Sequence, residues 1–234
     1  MRKVTDLEAA KSVARSLVYV DVHINEKVGF LVNHPFIGQI ATVVREGEQL
    51  VLKDVRNESD LRDIRRDIIK GINAATSYLQ FIHIIRTPYL PAFFKFTHHL
   101  LSSSDYSSFL GSMWTMVEFP NVDDNVKAYE FVKLFRGADK AFLMDEDEQR
   151  QYQELQEEIT VYRGIRGRGS LEALSWTLDI EKAEWFAKRW NKGGRVFSAI
   201  VEKKDVLAVF TSRGEAEIVV DYTRLKNIVL EREC

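Results

Sequence analysis

The feature that most constrains this chain is a change of texture at Ile159. Before it, apolar residues recur three and four apart between charges, as on one face of a helix. After it come short β-branched runs separated by turns. Leu61, Ile64, Ile68, Ile69 and Ile72 set the first pattern, which predicts a helix from Asn57 to about Arg86, ended by Pro88 and Pro91. Phe93 to about Val117 reads as a second, aromatic-rich helical stretch, broken near Ser102-Ser103-Ser104-Asp105. Asp124–Phe135 and Asp145–Glu158 read as two more helices. Beyond Ile159, strands are predicted over Ile159–Tyr162, Arg195–Val201, Val206–Phe210, Ala216–Val220 and Asn227–Glu231, with one helix, Ile180–Trp190, capped by Asp179. A chain that gathers helices first and strands afterwards is α+β.

The beginning of the chain differs from both textures. Thr5 with Glu8 reads as the capping pair of a short helix carrying Leu7, Ala10, Val13 and Leu17 on one side. From Ser16 to about Val55, the runs Val28–Val32, Ile40–Val44 and Leu50–Leu52 are punctuated by Asn33, Pro35, Gly38 and Gly47, as in strands and hairpins. Three segments are therefore expected: 1–56, strand-rich and of unassigned role; 57–158, a helical lobe; and 159–234, a β core.

Composition excludes several classes. Lys plus Arg number 33 against 35 Asp plus Glu, so the average charge points to no nucleic-acid or membrane partner, although a local patch can still bind one. Cys234 is the only cysteine, which rules out a disulfide framework and a cysteine-built zinc site and fits a reducing compartment. Charge precedes any apolar run at the N-terminus, and no apolar stretch approaches membrane-spanning length, so a cytoplasmic protein with no membrane partner is expected.

Three small motifs carry chemistry. Tyr162-Arg163-Gly164 closes an apolar strand with a guanidinium, a planar fork suited to phosphate, and a glycine that lets a ligand approach the backbone. Alone, an arginine in that place reads as a surface residue. Leu174-Ser175-Trp176-Thr177 places two hydroxyls on one side of a strand and the indole on the other. Alone, it reads as a polar strand edge. Gly214-Glu215-Ala216-Glu217 sets two carboxylates at i and i+2 where a buried strand begins. Like charges that close cost stability, whereas glycosidic-bond chemistry uses a carboxylate to stabilise an oxocarbenium ion. Many surface strands nevertheless begin Glu-x-Glu.

In this order and context, the three motifs resemble the Arg–Ser–Glu class of mono-ADP-ribosyltransferases, which includes binary clostridial toxins and related bacterial, phage and animal enzymes. The resemblance runs from about Asp124 to Glu231 and takes in the lead-in Ala138-Asp139-Lys140 and Leu143-Met144. It implies a helical lobe followed by a split two-sheet fold with NAD in the cleft. NAD is the substrate, and no metal is required. By resemblance, Tyr162, Arg163 and Gly164 would bind NAD, Arg163 through its phosphates and Gly164 through the nicotinamide carboxamide. Ser175 would orient Glu217, with Thr177 supporting the same strand edge, and Glu217 would be the catalytic carboxylate. Glu215 would steer the incoming nucleophile, and its position implies arginine of a protein as the acceptor. Asn191 lies in Trp190-Asn191-Lys192-Gly193-Gly194, where the family has its phosphate–nicotinamide loop. Phe210-Thr211-Ser212-Arg213-Gly214 stands at its substrate-recognising turn. Such a glycosyltransferase implies an intracellular toxin, effector or phage-related enzyme, with an antitoxin or immunity protein as a partner.

The chain departs from the family pattern in Ser-Trp-Thr for the commoner Ser-Thr-Ser and in a short gap from Arg163 to Ser175, filled by Arg166 and Arg168 among glycines. Those cations leave open an RNA or DNA acceptor, with Lys192 and Arg195 also meeting phosphates. A catalytically silent interaction module is the alternative of another class. His83, His98 and His99 have no carboxylate at ligand spacing and read as core or surface residues, and Asp145–Glu148 reads as a solvated acidic helix start.

Overall fold

A computed structural model describes residues 3–118, 125–166, 169–189, 193–211 and 216–234, with the side chain of residue 46 set aside. Helices and antiparallel sheets together give an α+β protein. The chain divides into two compact units, Met1–Val117 and Glu118–Cys234. Both cuts expected from texture, after 56 and after 158, mark changes of secondary structure, whereas this boundary follows compactness.

The first unit opens with α1 (Leu7–Leu17). Its cap is Asp6, which accepts from Ala9 N at 3.0 Å, and not Thr5. The Thr5 hydroxyl instead accepts from Ser102 N at 2.9 Å, fastening the chain start to a later helix. Two short strands, β1 (His23–Ile24) and β2 (Val32–Asn33), pair before the hairpin β3 (Ala41–Glu46) and β4 (Gln49–Asp54). Gly47 turns that hairpin at φ +62, in the left-handed region open to glycine.

The helix expected over 57–86 is shorter. Asn57 caps α2 (Glu58–Ala74), accepting from Ser59 N at 2.9 Å, but the chain then breaks and re-enters as a 3-10 turn (Tyr78–Gln80) and α3 (Phe81–Ile84). The break lets Tyr78 and Phe81 turn inward against Phe93 and Phe109, with ring centroids 4.7 to 5.7 Å apart. Tertiary packing of rings overrides the helical period. Pro88 and Pro91 do not end that helix: α3 stops at Ile84, and both prolines sit in first turns, Pro91 in that of α4 (Leu90–Thr97), where a missing N–H costs nothing. Ser102 caps α5 (Ser103–Met116), in line with the break expected there.

The second unit contains α6 (Ala128–Arg136), α7 (Lys140–Leu143) and α8 (Glu146–Glu154), then the strands. These are β5 (Glu158–Arg166), β6 (Ser175–Thr177), β7 (Gly194–Glu202), β8 (Val206–Phe210), β9 (Glu217–Val220) and β10 (Lys226–Glu233). They run antiparallel in the order β10-β7-β5-β6-β9-β8. Pairing is continuous between β5 and β7, from Glu158↔Glu202 to Arg166↔Gly194, but β5 meets β6 at one residue pair, Tyr162↔Thr177. Where the resemblance implies two separate sheets, these strands form one six-stranded sheet, because the Tyr162↔Thr177 pair joins β10-β7-β5 to β6-β9-β8 through a narrow waist.

Asp179 caps α9 (Ile180–Lys188) as expected, accepting from Glu181 N at 2.8 Å. Ala183 and Ala187 of α9 pack on Val196 and Tyr162. The helix sits close because Gly164 and Gly194 present no side chain: a Cβ on Gly164 would fall 1.9 Å from Ala183 O, and one on Gly194 2.2 Å from Ala187 O. Among the described residues, no helix is long and apolar enough to cross a membrane.

Candidate functional site

The waist of the sheet brings the sequence motifs together. Tyr162, Thr177, Glu217 and Phe210 form one cross-strand row through β5, β6, β9 and β8. Directly opposed residues project from the same face, so the row joins the aromatic of the first motif to the carboxylate of the third. Ser175 opposes Val219, two residues further along β6 and roughly 7 Å from the row by strand rise. The hydroxyl directly across from Glu217 is thus that of Thr177. Thr177 is buried, and its oxygen also accepts from Asp179 N at 3.1 Å, turning the chain into α9.

Arg163 follows Tyr162 on β5, and its guanidinium turns toward β6. Nε donates to Ser170 O at 3.2 Å, and Nη1 donates to Ser175 O. These two carbonyls fix the plane of the fork, and three of its five N–H groups lie outside those two bonds. Burial pulls the guanidinium down to about 10, and the nearby Glu217 carboxylate pushes it back up. Arg163 remains charged at neutral pH beside a half-buried acid.

Glu217 is the first residue of β9. Ala216 before it has φ +46, a left-handed conformation that costs a residue with a Cβ on the order of 1 kcal/mol. The strand therefore starts one residue later than the sequence pattern indicates. Glu215 and Asn191 themselves lie outside the described residues, as do Arg168, Trp190 and Lys192.

Tyr162 and Gly164 have structural duties beside any ligand contact, since both face α9. Trp176, on the opposite side of β6 from the hydroxyls, is buried, and its Nε1 donates to Ala173 O at 2.9 Å.

Sequence reasoning missed Glu148. It is buried, not solvated, and its carboxylate accepts from Asp145 N at 3.1 Å and from Thr211 N at 2.9 Å. Asp-x-x-Glu at a helix start signals the first bond. Nothing local signals the second, which spans 63 residues.

A cleft of about 520 Å³ lies at the other end of the strands, where Arg136 bridges Asp205 and Asp221 at 2.8 and 2.7 Å and Lys226 pairs with Glu202. Its lining includes neither Arg163 nor Glu217, and its acids already have cationic partners. Among the described residues, no group of three or more histidine, cysteine or acidic side chains is placed to hold a metal ion. Comparison with protein-family models, with curated proteins and with solved structures returned no match.

Proposed function

We propose that the second unit is an NAD-dependent mono-ADP-ribosyltransferase with Glu217 as its catalytic carboxylate. The observation that carries this reading is the strand register at the waist, which sets Glu217 across from Thr177 and Thr177 across from Tyr162, with Arg163 next along β5 bonded to the Ser175 carbonyl of the strand between. A guanidinium with N–H groups to spare and a half-buried carboxylate on nearby strands supply the donors and the acceptor that a pyrophosphate with a nearby ribose requires.

In this mechanism the N–H groups of Arg163 not bonded to Ser170 O and Ser175 O take the NAD pyrophosphate. Glu217 accepts a hydrogen bond from the hydroxyl of the nicotinamide ribose. The glycosidic C–N bond breaks, and its electron pair leaves with nicotinamide, which departs neutral. The positive charge left on the ribose is stabilised by the Glu217 carboxylate. An acceptor nucleophile then bonds to the anomeric carbon and gives up a proton. Glu215 is assigned to that proton, and protein arginine is the acceptor its position favours.

The test is incubation of wild type and Glu217→Ala with NAD labelled in its adenylate phosphate, in a cell lysate split into protease- and nuclease-treated halves. Label transferred by wild type alone supports the reading. Loss to protease identifies a protein acceptor, and loss to nuclease an RNA or DNA acceptor. Equal labelling by both proteins removes Glu217 from the chemistry.

A further inference from the structure

Among the described residues β8 is an edge strand, so one side of its backbone has no neighbouring strand there and must find other hydrogen-bond partners. Three side chains spaced four residues apart supply them. Lys140 Nζ donates to Val206 O at 3.2 Å, Met144 Sδ accepts from Val209 N at 3.2 Å, and Glu148 Oε1 accepts from Thr211 N at 2.9 Å. The three rungs follow β8 from start to finish. They differ in what they lie near. The Lys140 rung holds the end where Val206 opposes Val220, and the Glu148 rung holds the residue after Phe210, which opposes Glu217.

Only the Glu148 rung is built from a buried carboxylate shared between two backbone N–H groups, Asp145 N in its own helix and Thr211 N beyond the strand. A charged acceptor makes a stronger bond than a neutral one, and its two oxygens tie helix start and strand end into one rigid piece. The bond ends one residue from the cross-strand partner of Glu217. Ala216, on the other side of Glu217, is held in a left-handed conformation that its own side chain disfavours. That backbone needs a firm anchor at the neighbouring strand end.

We infer that Glu148 is a positioning residue for Glu217: by clamping the end of β8 it sets the height of the carboxylate against Arg163. This rests on the NAD-cleaving reading above. Glu148 touches no reacting atom. It acts by holding the β8 end against which Glu217 pairs, and a displacement near 1 Å at a reacting group costs up to a hundredfold in rate.

The experiment compares Glu148→Gln, Glu148→Asp and Lys140→Met with wild type, following nicotinamide release for kcat and KM and thermal unfolding for stability. Glutamine must turn an amide NH2 toward one of two N–H groups. Aspartate keeps the charge at the helix start but is too short to reach Thr211. Both are expected to lower kcat about tenfold while KM for NAD stays within about twofold, because Arg163 is untouched. Lys140→Met, which loosens the far end of the same strand, is expected to lower the melting temperature and leave kcat within about twofold. Unchanged kcat in both Glu148 variants, or the same kcat loss in Lys140→Met, would reduce Glu148 to a fold-holding residue and overturn the inference. If Glu148→Gln does not fold, Glu148→Asp decides alone by the same criterion. Absence of nicotinamide release from wild type overturns the NAD reading, and the inference with it, and that outcome is separate from an active wild type with indifferent variants.

Discussion

The two units solve burial differently. In Met1–Val117, the interior is a stack of rings: Tyr78, Phe81, Phe93, Phe94 and Phe109 touch one another, and the buried polar residues are Lys11, His34, Thr97 and Ser107. In Glu118–Cys234, three acids, Glu148, Asp205 and Asp221, are buried in a β-rich core, each meeting a backbone N–H or a guanidinium. Burying a carboxylate is costly even when it is paired, and an apolar residue of the same size commonly does as well for stability. Stacked rings thus dominate the first unit, which also buries the charge of Lys11, while the second buries three carboxylates, each held by a backbone N–H or a guanidinium.

That contrast can be broken from either side. The largest expected effect is Phe93→Ala, which leaves a cavity among rings less than 7 Å apart. It should cost about 4 kcal/mol in denaturant unfolding. A loss below about 1 kcal/mol would mean that the rings are not the main support of this unit.

Next comes pH. His34 is buried, its Nδ1 accepts from Phe36 N and Ile37 N at 3.2 Å, and burial pulls it down to about 4. The folded pKa lies below that of a free imidazole, so the unfolded chain takes up the proton first as pH falls. Stability from neutral His34 is fully present above about 6.5, declines between 6.5 and 4, and is lost below that. The shift corresponds to about 3 kcal/mol. His34→Asn, whose side-chain oxygen can accept the same two N–H groups, should unfold with a flatter pH profile over that window. Parallel profiles for variant and wild type would assign the acid sensitivity elsewhere.

The smallest effect falls in the second unit. Gly164→Ala puts a Cβ 1.9 Å from Ala183 O, so α9 has to shift, at a cost of about 2 kcal/mol. An unchanged melting temperature would show that α9 does not rest on β5 as described.

Much of this was legible in sequence, for reasons that differ by element. Asp179, Ser102 and Asn57 cap helices in the structure, and those helix starts were readable because the capping bond is local. The strands β7, β8 and β10 fall close to their expected ranges, since β-branched runs between turns have few other solutions. The long helix over 57–86 was not readable as three pieces, because its break answers to rings that arrive from α4 and α5. At the candidate site, the residue types were legible but their pairing was not. Ser175 reads as the partner of Glu217 by resemblance, yet register puts Thr177 opposite it. That register is fixed by the pairing of β6 with β9, about forty residues apart in sequence, and no local pattern encodes it. Glu148 was illegible for the same reason in stronger form, its partner being 63 residues away.

The most direct test of an NAD-cleaving site built on Arg163 and Glu217 is the rate of nicotinamide release by wild type and Glu217→Gln, read beside NAD affinity by calorimetry. The variant keeps size and hydrogen bonding and loses the charge. Release should fall by at least about a hundredfold while affinity stays within about threefold, since the proposed reading assigns the phosphates to Arg163. Equal release by the two proteins, or no binding of NAD by wild type, would contradict it.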